Sequence, residues 1–281
     1  MSDKWLCGRF EFKLGRPILM GIVNATPDSF SDAGQYPTTA SAIAHARQLV
    51  TEGAHILDIG GESTRPGAAA VSLENELLRV IPVVRAMLDS GVPISVDTCK
   101  PEVMRAALEA GADMINDVTG FREPAARQLA VDFPHCGLCI MHMQGEPRTM
   151  QKAPHYDAVV TEVTDYLLGQ ARKLEALGVR QNRICLDPGL GFGKTAEQNF
   201  MLLGQLGKLT ALGYPVLLGA SRKSMIGAAT GRTVEQRLAG SLAAALAGVS
   251  RGATIIRVHD VAATLDALKV WQATIDGESN K

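Results

Sequence analysis

The chain has 281 residues, of which 46% are hydrophobic, 20% charged and only 5% aromatic, and its 28 Lys and Arg against 29 Asp and Glu leave a net charge of −1. The apolar share excludes a disordered chain. The even charge, without a run of one sign, argues against nucleic acid or an anionic membrane surface as the main partner. A chain of this length buries about three quarters of its unfolded surface, so neither disulfides nor a structural metal is required. The five cysteines are odd in number, and they read as reduced thiols of a cytoplasmic protein. Cys136 and Cys139 form a C-x-x-C within the apolar run CGLCIMHM, where buried structural thiols are expected. The N-terminal stretch MSDKWLCGRFEFKLG has no apolar h-region, and the most membrane-like segment, 239–249, is short and broken by Gly and Ser; neither a signal peptide nor a membrane span is expected.

In residues 1–17, Phe10, Phe12 and Leu14 alternate with polar residues, which predicts a hairpin beneath whatever follows. Apolar runs then recur at 18–23, 55–59, 93–96, 114–115, 138–141, 184–186, 215–218 and 254–258. They are short and nearly continuous, as strands buried on both faces are. Amphipathic segments lie between them. Segment 41–52 puts Ile43, Ala46, Leu49 and Val50 on one face and stops at Gly53. Segment 101–110 opens with Pro and Glu and stops at Gly111. Segments 156–177, 197–212 and 262–275 also read as helices, and Thr233-Val-Glu-Gln236 has the form of a capping box ahead of Leu238 and Leu242. Segment 239–252, AGSLAAALAGVSRG, is built of small residues that permit close approach of another backbone, in the wall of the fold or at a subunit face. Strand then helix, eight times and without a break in composition, predicts an α/β fold: one (β/α)8 barrel domain over 1–281 with an N-terminal hairpin, the alternative being an open doubly wound sheet.

Chemistry in such a barrel collects where strands exit at the C-terminal face. The exits carry Asn24; Asp58 and Glu62; Asp97; Asn116 and Asp117; His142; Asp187; Ser221, Arg222 and Lys223; and Arg257, His259 and Asp260. One such Asp or Asn is often only a helix cap, but a ligand-bonding group at every exit points to a site. The connections after the first two strands, NATPDSFSDAGQYP and GGESTRPGAAA, are long and rich in Gly, Pro, Ser and Thr, so 24–37 and 60–71 are expected to be mobile active-site loops. Asp187-Pro-Gly-Leu-Gly-Phe-Gly-Lys-Thr195 falls one residue short of a P-loop, with Pro188 where the first Gly must stand. Its glycines instead let backbone and Phe192 approach a flat ligand. The first exit reads Val-Asn-Ala rather than His-x-His, which argues against a tight transition-metal site; the oxygen of Asn24 suits Mg²⁺ shared with a phosphate. The other histidines, His45, His55, His135 and His155, lie away from the exits.

In order along the chain, GIVNATPDSFSD, DIGGESTRPGA, SVDTCKP, INDVTG, MHMQGEP, LDPGLGFGK, LLGASRKSMIG and RVHDV resemble the consecutive motifs of the bacterial dihydropteroate synthases, with small departures at Ala33, Phe121 and Met225. The resemblance implies a transferase that joins 6-hydroxymethyl-7,8-dihydropterin pyrophosphate to p-aminobenzoate, giving 7,8-dihydropteroate and pyrophosphate for folate biosynthesis by an SN1-like route. It implies a pterin pocket of Asp97, Asn116, Met141, Asp187, Phe192, Gly219 and Lys223. It places pyrophosphate against Asn24, Thr64, Arg257 and His259, and p-aminobenzoate against Phe30, Thr64, Arg65, Pro66, Phe192 and Ser221. Asp97, Lys223, Arg257 and His259 would be the catalytic groups, and Asn24 and Asp28 would hold Mg²⁺. It further implies sulfonamide inhibition and a homodimer formed through the late helices. A pterin-binding methyltransferase barrel and a pterin-binding paralogue without turnover are the competing readings; Arg257-Val-His259 and the two loop motifs favour the synthase.

Overall fold

The computed structural model describes residues 4–26, 39–63, 69–145 and 149–279. A hairpin of β1 (Lys4–Cys7) and β2 (Phe10–Lys13) precedes eight strands: β3 (Ile18–Asn24), β4 (Ile56–Gly60), β5 (Ile94–Asp97), β6 (Met114–Asp117), β7 (Gly137–Met141), β8 (Ile184–Asp187), β9 (Leu217–Leu218) and β10 (Ile255–Val258). These eight pair in parallel, β8 at one end of the order and β9 at the other. A parallel bridge between Leu186 and Val216 joins the two ends, so the sheet closes on itself. The result is a (β/α)8 barrel with the expected hairpin. Each apolar run of the sequence forms a barrel strand. The seventh is the shortest because Pro215 has no N–H to give, while the N–H of Val216 goes to the Thr254 hydroxyl at 2.8 Å.

The hairpin closes the floor of the cylinder. Trp5 and Cys7 are fully buried beside Ile18, Met20, Ile56, Met114, Cys139, Cys185, Leu217 and Ile255, which fill the barrel interior. Trp5 stacks on Phe12 at 5.6 Å. Arg9 forks onto buried Asp113 at 3.0 and 3.1 Å, and Asp113 also accepts from the backbone of Ile94. Cys136 and Cys139 are buried free thiols, as expected, and burial pushes Cys136 up to about 12.

The helices are α1 (Thr39–Thr51), α2 (Leu73–Ala86), α3 (Pro101–Glu109), α4 (Pro124–Asp132), α5 (Val159–Ala176), α6 (Ala196–Gly204), α7 (Gly207–Thr210), α8 (Ser224–Thr230), α9 (Leu238–Val249) and α10 (Val261–Ser279). They pack on the outward strand residues in one continuous cluster that includes Leu19, Leu57, Ile59, Val96, Ile115 and Leu186. Two expectations need correction. The helix anticipated over 197–212 is two helices, interrupted between Gly204 and Gly207, where glycine adds backbone freedom that a helix must suppress. The capping box at Thr233 does not form: a single 3₁₀ turn, Val234–Gln236, intervenes, Thr233 makes no side-chain cap, and α9 starts after Arg237. The reciprocal box lies at α6, where Thr195 Oγ1 accepts from Gln198 N at 3.2 Å and Gln198 Oε1 from Thr195 N at 2.8 Å. Among the described residues no helix is long and apolar enough to cross a membrane.

Candidate active site

Side chains alternate in and out along a strand, so the residue two beyond each floor residue also faces the barrel interior, one layer nearer the exit. Two beyond Ile56, Met114, Cys139, Cys185, Leu217 and Ile255 stand Asp58, Asn116, Met141, Asp187, Gly219 and Arg257. Asp97 joins the same layer in register with Asn116. The apolar floor thus gives way to a polar layer within a single period of the strand.

Arg257 gathers that layer. Its Nε donates to Asp58 Oδ2 at 2.6 Å and its Nη2 to Asp97 Oδ2 at 2.7 Å. Asn116 Nδ2 donates to the same Asp58 oxygen at 3.1 Å. Burial raises the Asp97 carboxyl, with Arg257 opposing and the Asp58 charge reinforcing. Burial alone would lower Arg257, but the two carboxylates outweigh it and raise it. Three buried acceptor atoms, Asp58 Oδ1, Asp97 Oδ1 and Asn116 Oδ1, have no hydrogen-bond partner among the described residues. Buried acceptors are rarely left bare, so three together form a network that a donor-bearing ligand completes.

The opposite wall carries Asp187 and Lys223. Asp187 Oδ1 accepts from Gly189 N at 2.7 Å; burial raises its carboxyl, and the Lys223 charge opposes that. Burial brings Lys223 down to about 8 against the pull of Asp187, and Arg257 reinforces the shift. The Lys223 ammonium lies 4.7 Å from the centre of the Phe192 ring and donates to Leu190 O. Gly219 leaves the space between the cations open: a Cβ there would sit 3.8 Å from Lys223 Nζ and 3.9 Å from Arg257 Cβ. Met141 packs with Val118, Met143 and Met150, and the half-buried Phe192 lies against that group.

Ser221 Oγ and His259 Nδ1 are 3.0 Å apart, so β9 and β10 present their exit residues as a pair. Arg222 between Ser221 and Lys223 has φ +58, a conformation that costs a side-chain-bearing residue energy. Its N–H bonds Ser241 Oγ at 2.9 Å, and its Nε bonds Asp260 at 3.0 Å. Asn24 is exposed at the end of β3. Asp28, Phe30, Thr64, Arg65 and Pro66 lie outside the described residues, as do most of the first long loop and residues 64–68 of the second.

Sequence reasoning named Asp58 as a strand exit but gave it no role; its signal was its place in the same interior layer as Asp97 and Asn116. It gave none to Lys100 either, which bridges Glu62 and the fully buried Glu76 at the stem of the second loop. His142, the exit residue of β7, has its Nδ1 3.0 Å from Lys194 Nζ. Burial and that neighbouring charge push the imidazole down to about 3.

A closed parallel barrel whose exit gathers buried carboxylates, an amide and two cations around acceptors without partners among the described residues has the groups to bind a donor-bearing small molecule. Comparison with known proteins makes the class specific. Residues 20–259 match the pterin binding enzyme family. The dihydropteroate synthase of Neisseria meningitidis serogroup C is 54% identical over 273 residues, 96% of each chain. The Xanthomonas albilineans dihydropteroate synthase structure with 4-aminobenzoic acid superposes with a TM-score of 0.91 at 52% identity, covering 98% of each chain. The Burkholderia cenocepacia dihydropteroate synthase complexed with 7,8-dihydropteroate superposes at 0.90 and 51%, covering 99% of this chain and 98% of that one. The chain belongs to the pterin binding enzymes and, within them, to the dihydropteroate synthases, which are transferases.

Proposed function

We propose that the barrel exit condenses 6-hydroxymethyl-7,8-dihydropterin pyrophosphate with p-aminobenzoate. The observation that carries this is the bare acceptor set on Asp58, Asp97 and Asn116 facing a wall formed by Asp187 and Lys223. A pterin edge offers adjacent N–H donors, and a carboxylate such as Asp187 accepts two of them side by side. Asn116 both donates and accepts. Lys223 serves the ring carbonyl and N5 side, while Met141 and Phe192 cover the ring and Gly219 leaves room for it.

The bond from the exocyclic methylene carbon to the diphosphate oxygen breaks first, and the oxygen takes the electron pair. Arg257 and His259 receive the diphosphate charge, and the family resemblance assigns Asn24 and Thr64 to the same group; a guanidinium fork matches phosphate oxygens. The carbon cation is stabilised by the pterin and by ionised Asp97, whose charge is already in place before the bond breaks. The neutral arylamine nitrogen then attacks that carbon and loses a proton. By the family resemblance Phe30, Thr64, Arg65, Pro66, Phe192 and Ser221 are the residues assigned to p-aminobenzoate, for whose place sulfonamides of the same shape compete.

Asn24 and Asp28 fit Mg²⁺. Asn24 ends its strand exposed, with an amide oxygen, and Mg²⁺ uses one or two protein oxygens and takes the rest of its shell from phosphate and water. When bound, the ion supplies charge neutralisation for the diphosphate. A homodimer is supported by an apolar groove of ≈ 370 Å³ between α6, α8 and α9, lined by Phe200, Leu203, Ile226, Ala243, Ala244 and Ala247, of which Phe200 is exposed. The assignment is to cytoplasmic folate biosynthesis.

Incubation of the purified protein with the pterin pyrophosphate, p-aminobenzoate and Mg²⁺ tests this directly. Pyrophosphate release that yields dihydropteroate supports the reading, and no release overturns it.

A further inference from the structure

Lys194, at the end of the β8–α6 connection, is buried and has a full set of partners, yet among the described residues no carboxylate is one of them. Its Nζ lies 2.9 Å from both Gly189 O and Phe192 O, 3.3 Å from His142 O and 3.0 Å from His142 Nδ1. Burying an ammonium among neutral acceptors is costly, and burial brings this one down to about 7. What the cation accomplishes is visible in what it ties together. Gly189 (φ +63) passes so close to the exit of β7 that a Cβ would meet His142 O at 2.0 Å. The N–H of Gly189 holds Asp187, the ring of Phe192 lies over Lys223, and Leu190 O accepts from Lys223. The segment spanned by the Lys194 contacts, 189–192, is therefore the backbone that sets three substrate-facing side chains at once. Further ties hold the same loop from outside: Asn199 Oδ1 accepts from Gly191 N at 2.7 Å, and Tyr156 OH donates to Gly193 O at 2.9 Å.

We propose that Lys194 is a positioning residue for the reaction: it cross-links the β7 exit to the β8–α6 loop and, through Leu190 O and the Phe192 ring, holds the Lys223 ammonium in place for the pterin. This rests on the reading of Lys223, Asp187 and Phe192 as substrate-binding groups. It assigns to Lys194 no contact with substrate.

The test is a double-mutant cycle on pterin pyrophosphate affinity, measured by calorimetry for the wild type, Lys194→Met, Lys223→Ala and the double variant. Lys194→Met keeps the length of the side chain and removes its donors. It is expected to weaken binding about tenfold, the loss of hydrogen bonds to a charged group, but to add only about twofold in the Lys223→Ala background, where Lys223 is gone and only the smaller effect through Asp187 and Phe192 remains. Asp113→Asn, at the barrel floor, is the control for general destabilisation and leaves the affinity unchanged. An unaltered affinity for Lys194→Met overturns the proposal, as does an equal loss in both backgrounds. If Lys194→Met does not fold, Tyr156→Phe, which frees Gly193 O on the same loop, goes through the same cycle. About a threefold loss that disappears with Lys223→Ala supports the proposal, and a loss that persists contradicts it. Turnover by the wild type is measured alongside. Its absence counts against the synthase reading, whereas an active wild type with an indifferent Lys194→Met counts against this inference alone.

Discussion

Asp187 is buried, and its carboxylate spends one bond on Gly189 N. Replacing it with Asn keeps the shape but turns one acceptor into a donor that faces the donors of the pterin edge. Asp187→Asn is expected to weaken pterin binding by about two orders of magnitude, the upper range for bonds to a charged group; unchanged affinity by calorimetry contradicts the role. The titrations of Asp97 and Lys223 frame the pH dependence. Asp97, raised by burial, is protonated at the acid end and cannot offset a developing cation there, so kcat/KM rises with pH through a range above that of an ordinary aspartate. Lys223, lowered to about 8, loses its charge above that pH, so kcat/KM falls again. Lys223→Arg is expected to remove the alkaline limb, since a guanidinium does not titrate there; a limb that stays in place assigns it to another group. At this scale the sequence shows residue type and strand position but not partners. Asp97, Asn116, Asp187 and Lys223 were legible because each ends or follows an apolar run, and Arg257 because it is the one charge within its run. That Arg257 sits between Asp58 and Asp97 was not, because residues 58, 97 and 257 meet only once the sheet has closed.

Among the elements, the hairpin and the strands were the most legible. Alternation of Phe10, Phe12 and Leu14 marked one edge of the hairpin, and Trp5 supplies its anchor. Trp5→Ala leaves a cavity at the barrel floor and is expected to cost about 3–5 kcal/mol in urea unfolding. A change below about 1 kcal/mol is surface-like and contradicts the plugging role. Helices were less legible. The pattern at Thr233 satisfied the capping rule, but the chain spends those residues on a 3₁₀ turn, and Gly204 with Gly207 divides what periodicity joined. Local patterns of this kind say where a helix can start, and packing on the barrel decides where it does. The α2, α4 and α8 helices were not singled out at all. Pro82 interrupts α2 in the sequence although its buried face, Glu76, Val80, Val83 and Val84, keeps the helical spacing, and α8 spans only seven residues.

For the molecule as a whole, the repeat of strand and helix without a break in composition made the barrel legible, and the order of eight motifs made the family so. Closure itself was less visible, since it rests on a two-residue strand and one bridge between Leu186 and Val216. The apolar groove between α6, α8 and α9 bears on assembly. Sedimentation is expected to give a dimer for the wild type and a shift toward monomer for Phe200→Glu, which puts a charge into that face. A wild type that sediments as a monomer at micromolar concentration contradicts the pairing. The proposed reaction requires that the polar layer above the floor be the seat of the pterin. A crystal structure with a dihydropterin analogue tests that most directly. It is predicted to show the ring edge within hydrogen-bond distance of Asp97, Asn116, Asp187 and Lys223, with the Asp97 and Asn116 oxygens that now lack partners accepting from it. An analogue bound elsewhere, with those oxygens still bare, contradicts it.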